Sequence, residues 1–228
     1  MSDNLALWDK LGRTDPDHTK KFKRGGGFSG TAVKPIYTAH KMTEAFGPCG
    51  TGWGYSEPSF QLVPGSDGQT AVFCWLSLWY VKADGARSEP IPGVGGDFVI
   101  KKFSSGLTTD DEAFKKAFTD ALGNAMKNLG MSADVHMGRF DDSKYVAELT
   151  REFAEEKQAA EAAPALAYIA ESRKRIADAT DRAALLNWWN SEDRKACCRD
   201  FDLTESEIQE LKQKVSAKAS DLQPKVAA

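Results

Sequence analysis

The sequence predicts an α+β fold: a three-stranded antiparallel meander followed by one long packed helix (β-β-β-α), with a small C-terminal helical module. Three observations carry this. Residues 53–91 are rich in aromatic and β-branched side chains and are cut by turn signals. Residues 109–130 carry an apolar stripe at the i, i+3, i+4 spacing of a packed helix. From residue 148 an Ala- and Glu-rich stretch leads into three short amphipathic segments. The expected boundaries are a core domain over 1–147, a helical or flexible linker over 148–164 and a three-helix module over 165–228.

Taken in order, residues 4–11 form a short amphipathic helix that Thr14-Asp15-Pro16-Asp17 ends. Residues 18–30 run from a basic stretch into glycines and are expected as a loop or irregular strand. A short helix over 39–45 precedes a Phe46-Gly47 turn. A strand over 53–63 follows, broken by Pro64-Gly65-Ser66-Asp67-Gly68. Residues 70–82 are apolar on both faces, which predicts a central strand covered on both sides. Asp84-Gly85 signals a tight turn, a third strand is expected over 86–91, and a short one over 97–103. Such a sheet leaves open edges that must be paired, covered or blunted.

The long helix is the most legible element. Thr109 with Glu112 reads as a capping box, and Gly130 as a left-handed stop. Phe114, Ala117, Phe118, Ala121, Leu122, Ala125, Met126 and Leu129 form the buried stripe, while Lys115, Lys116, Asn124, Lys127 and Asn128 form the polar face. Gly123 costs about 1 kcal/mol relative to Ala inside a helix, so a close backbone approach is expected there. In the tail, helices are expected over 165–176, 181–189 and 204–222, the last opened by a capping box of Thr204 and Glu207.

The formal charge of −3 argues against a generic polyanion binder. Its distribution says more. Between Lys10 and Lys41 lie eight basic and two acidic residues, and from Glu148 onward 13 basic and 16 acidic, so positive potential gathers near one end. Cys49, Cys74, Cys197 and Cys198 show no metal-binding or disulfide spacing. No leader-like segment and no apolar run of about 18 residues occurs, so a cytoplasmic protein without a membrane span is expected.

A catalytic reading finds no support. His18, His40 and His136 are scattered, no phosphate-cradling P-loop motif occurs, and Asp110-Asp111 and Asp141-Asp142 are explained by a helix start and a turn. No enzyme activity, cofactor or metal is expected. Lys20, Lys21, Lys23 and Arg24, interleaved with Phe22 and Phe28, meet the demands of single-strand recognition: cations for phosphates beside aromatic surfaces. Trp53, Trp75, Trp79 and Tyr80 read as core or subunit interface. Of the adjacent Trp188 and Trp189, about 100° apart on a helix, one is expected in the core and one near the surface.

The string Ala117-Phe-Thr-Asp-Ala-Leu-Gly-Asn-Ala-Met-Lys-Asn-Leu-Gly130 resembles the long helix of the single-strand annealing proteins of the Rad-fifty-two/Erf superfamily, of phage recombinase type. Phe46-Gly47-Pro-Cys-Gly50-Thr-Gly52-Trp53 is similar to that family's Phe-Gly-x-x-Gly-Trp turn. The resemblance covers residues 20–145. It implies ATP-independent binding of single-stranded DNA and annealing of complementary strands in recombination and repair. The protein would act as a ring or filament homo-oligomer, with helices packed across a curved sheet, in a bacterial host cell. It also implies DNA contacts at Arg24 and at Lys101 and Lys102 before the helix. Lys34, Lys115, Lys116 and Lys127 complete the expected DNA-binding set. Where the Rad-fifty-two branch carries Lys-Arg, this chain has Gly123-Asn124, removing two charges from the implied groove. A host single-strand-binding protein or a phage exonuclease is the expected partner of the C-terminal module. The alternative is a passive strand-protecting protein without annealing activity.

Overall fold

The computed structural model describes residues 4–23, 27 and 29–223. The chain divides into two compact units, Met1–Thr150 and Arg151–Ala228. It is an α+β protein, with an antiparallel sheet and several helices, one of them long.

The first unit opens with α1 (Ala6–Gly12) and a 3-10 turn at Pro16–His18. Strands β1 (Thr19–Lys23) and β2 (Ser29–Val33) then form a separate antiparallel hairpin with Phe22 opposite Gly30. The basic run expected as a loop or irregular strand is therefore a regular strand at its start. Next comes α2 (Pro35–Phe46), longer than the expected 39–45 because Pro35 sits in the first turn, where its missing N–H is no loss.

The main sheet differs from a three-stranded meander. It contains β3 (Trp53–Tyr55), β4 (Ser59–Pro64), β5 (Thr70–Tyr80), β6 (Ile91–Phe103) and β7 (Gly106–Thr109), with β3 and β4 both paired to β5. The strand expected over 53–63 is thus two, separated around Pro58, which has no N–H for the ladder. The strand expected over 86–91 is displaced to β6, whose register pairs Trp75 with Val94 and Leu78 with Ile91. Gly93, Gly95 and Gly96, between the strands expected over 86–91 and 97–103, lie inside that single strand.

The reason is α3 (Ala113–Lys127). Ala113, Ala117, Ala121 and Ala125 are fully buried, and this four-residue stripe lies on Gly93 and Gly95. A Cβ on Gly95 would stand 2.2 Å from Ala121 N and 2.4 Å from Ala117 O. Small residues on both partners bring helix and strand backbones together, so the glycines belong in the strand. Beside the stripe, Asn124 and Asn128 donate to the carbonyls of Val94 (2.7 Å) and Pro92 (3.4 Å), and Asp120 accepts from Gly96 N (3.4 Å). Four helix residues rise about 6 Å and two strand residues about 6.8 Å, so the row keeps step with the strand. It satisfies the edge of β6 that β7 does not reach.

The helix start also moves. Thr109 is held in β7 opposite Ile100, so it does not cap. Glu112 precedes the helix without a side-chain cap, and Asp110 Oδ1 accepts from Glu112 N (3.0 Å). The stop is as expected: Gly130 has φ +90 and packs on Trp8.

A second correction concerns cover. On β5, Val72, Cys74, Leu76 and Leu78 are buried beneath α3, but on the opposite face Phe73 and Trp75 are each 37% exposed. Within this unit the central strand is covered on one side. Trp53 is buried, with Nε1 donating to Thr43 Oγ1 (3.2 Å). Trp79 lies beneath Arg87 (3.8 Å), and Tyr80 packs on Phe46. The N-terminal segment is tied down by α4 (Ala133–His136): Thr14 donates from N (2.8 Å) and Oγ1 (2.7 Å) to Asp134, which also accepts from Tyr145 (3.1 Å).

Helix α5 (Ser143–Asp178) carries the chain from the first unit into the second and includes the stretch expected as a linker. The second unit adds α6 (Arg182–Asn190), α7 (Glu192–Asp200) and α8 (Glu205–Asp221) around Ile169, Ile176, Leu185, Trp189, Leu211 and Val215. Helix α7 is additional to the three expected helices; its buried residue is Cys198, too sparse an apolar face to signal a helix, and Ser191 starts it by accepting from Arg194 N (3.2 Å). Thr204 and Glu207 form the expected capping box. Trp189 is buried and Trp188 half-buried, as the 100° spacing requires.

Candidate nucleic-acid interface

Two stretches far apart in sequence meet across one groove of the first unit. Hairpin β1–β2 and the start of α2 supply Phe22, Thr31, Val33 and Ile36. The side of α3 turned away from the sheet supplies Lys115, Lys116, Phe118, Leu122, Gly123, Met126 and Lys127. The groove is open to solvent and has a volume of ≈ 750 Å³. α2 is placed by Lys41, whose amine donates to the carbonyls of Leu11 (2.8 Å) and Arg13 (2.5 Å). That lysine belongs to the basic run in sequence but is buried.

The expected cations fall into two classes. Lys20, Lys21, Lys23 and Lys34 have no carboxylate partner among the described residues. Lys20 lies two residues from Phe22 and therefore shares its strand face, while Lys21 and Lys23 alternate to the other. Lys21 donates to the Phe140 carbonyl (3.0 Å), and Lys34 to that of Asp17 (2.8 Å). Arg24, Gly25, Gly26 and Phe28 lie outside the described residues.

The cations around α3 are mostly neutralised within the chain. Lys116 pairs with Asp110 (2.6 Å), Lys101 with Asp97 (2.9 Å) and Asp110 (3.3 Å), Lys102 with Asp67 (3.1 Å), and Lys115 with Glu112. The hydrogen bond from Lys116, helped by Glu112 N and Lys101, holds the Asp110 carboxyl at about 2. Lys101 and Lys102 lie on β6 and do not line the groove. Among the described residues Lys127 donates only to Asn124 Oδ1 (2.8 Å). His136 also lines the groove, and burial, then the nearby Lys127, push its pKa below the ordinary histidine value. It therefore adds no charge at neutral pH.

The groove's lining thus combines apolar side chains with Lys115, Lys116 and Lys127, and also includes Asp120, Thr31 and Thr119. Of the expected buried stripe, Met126 is buried, but Phe118 and Leu122 are half-exposed and Phe114 is exposed; that flank is not legible in sequence, nor is the role of Ile36, which is 76% exposed. The close approach expected at Gly123 is not found among the described residues: a Cβ there would meet none of their atoms within 4 Å. Asn124, in place of an implied cation, is engaged with Val94.

Among the described residues no group of three or more His, Cys, Asp or Glu is placed to hold a metal ion, and no helix is long and apolar enough to cross a membrane. Neither a protein-family profile nor a curated protein matches this chain.

Proposed function

We propose that this protein binds single-stranded DNA in the groove between hairpin β1–β2 and α3 and promotes annealing of complementary strands without nucleotide hydrolysis. On this reading it is a phage-type recombination protein of the Rad-fifty-two/Erf superfamily, acting as a homo-oligomer in the cytoplasm of a bacterial host. The observation that carries the proposal is the meeting of Phe22 and Ile36 with Phe118, Leu122 and Lys127, from segments about a hundred residues apart, at one groove, with Lys20 on the strand face of Phe22. Phosphates need cations and bases need carbon, and the groove offers both. The open outer edges of β3, β4 and β7 and the exposed Phe73 and Trp75 support self-association.

The test is to mix two complementary labelled strands with the protein, without ATP or metal, and follow duplex formation. Faster pairing supports annealing. In parallel, Lys20→Ala with Lys127→Ala should weaken strand binding and reduce its salt slope by about 1.4, because each phosphate that a lysine neutralises on a single strand contributes about 0.7. Unchanged affinity and slope would remove this groove as the site. A passive strand-protecting role is the second reading, favoured by the internal neutralisation of Lys115 and Lys116, which leaves fewer cations to concentrate a second strand. It predicts binding without acceleration.

A further inference from the structure

The layout of the groove decides which side of a strand faces inward. Much of its lining is carbon, from Phe22, Ile36, Phe118, Leu122 and Met126, with Thr31, Thr119 and the acidic Asp120 among them, and an acid in the lining also disfavours phosphates turned inward. Gly123 lies among them in the interior of α3, and the space above its Cα is open. Glycine is less favourable than alanine inside a helix, and among the described residues no atom crowds position 123 to require it. Lys127, with no carboxylate partner among the described residues, stands four residues after it, about 6 Å along the axis, and Lys116, held by Asp110, seven before. Phosphates lose hydration on a carbon floor with nothing to replace it. Flat bases meet aliphatic and aromatic carbon favourably there.

We propose that a bound strand lays the faces of its bases on the floor around Gly123 and turns its phosphates outward to the marginal lysines. Gly123 is then a specificity-determining position: it leaves a flat patch of backbone on which a base can lie, and any side chain there occludes it. A base lying on its face keeps its hydrogen-bonding edge free, which is compatible with annealing. The inference rests on the nucleic-acid reading above and goes beyond it by fixing the strand's orientation.

The test uses the full chain and two probes of equal length, an oligothymidylate and an oligomer of abasic sites with the same phosphates. The wild type should bind oligothymidylate at least about tenfold more tightly, in line with the measured worth of base stacking. Gly123→Ala should raise the melting temperature by a few degrees, remove most of that preference and leave binding of the abasic oligomer unchanged. Ile36→Ser, at an exposed position that does not threaten the fold, should narrow the preference in the same direction. Equal, salt-dependent binding of both probes by the wild type would overturn the orientation while leaving strand binding in place. So would a Gly123→Ala variant that keeps the full preference or weakens both probes alike. Binding of neither probe would overturn both readings.

Discussion

The amine of Lys41 is buried against the carbonyls of Leu11 and Arg13, and burial pushes its pKa down to about 8. An unfolded lysine titrates near about 10.4, so between these values the unfolded chain binds more protons than the folded one. Stability contributed at this site therefore rises with pH through that window. In Lys41→Met the titration is gone, and chemical denaturation should show the gap between wild type and variant growing in favour of the wild type from about pH 8 to 10. A gap independent of pH would mean the amine is hydrated. The same residue marks a limit of reading charge from sequence. Lys41 counts toward the basic N-terminal run, as Lys116 counts toward the polar face of a helix, yet one is buried and the other bound to Asp110. Which cations remain available depends on carboxylates brought near by folding, and no spacing rule carries that information.

At the scale of elements, the seating of α3 on β6 fixes one wall of the groove. Gly95→Ala would drive a methyl into the backbone at Ala117 and Ala121, where no side chain can move aside. The expected loss is about 3 kcal/mol, the upper part of the overpacking range, readable as a lowered denaturation midpoint. A change below about 0.5 kcal/mol would mean the helix stands off the strand. The alanine stripe was legible because a helix of that length imposes one period on its buried face. The strand beneath it was not, since glycines that signal a break by local propensity are required here by a partner helix about twenty residues on. The split of residues 53–64 into β3 and β4 follows from Pro58, a signal present in the sequence but outweighed by the surrounding aromatics. Helix α7 was missed for the converse reason: its apolar face is too sparse to stand out, although Ser191 before Glu192 and Asp193 is a helix start that can be recognised.

For the whole molecule, the second unit offers a surface of its own. Trp188 is half-buried beneath Arg175 (4.9 Å) and shares a cavity of ≈ 740 Å³ with Tyr168, Arg194 and Phe201. If this module docks a partner such as a host single-strand-binding protein, Trp188→Ala should leave annealing of naked strands intact. On strands coated with that protein it should slow annealing by at least about tenfold, as loss of an anchoring tryptophan does at other interfaces. Equal loss on both substrates would assign the tryptophan to folding instead. The main sheet sets a different constraint on assembly. Because Asp120, Asn124 and Asn128 occupy the backbone groups of Gly96, Val94 and Pro92, that flank is closed to templated strand addition. Any fibre or ring that extends the sheet must therefore grow through the β3–β4 side or the short β7. Those flanks differ, so an assembly that joined one to the other, head to tail, would have a direction, whereas one that paired like with like would not.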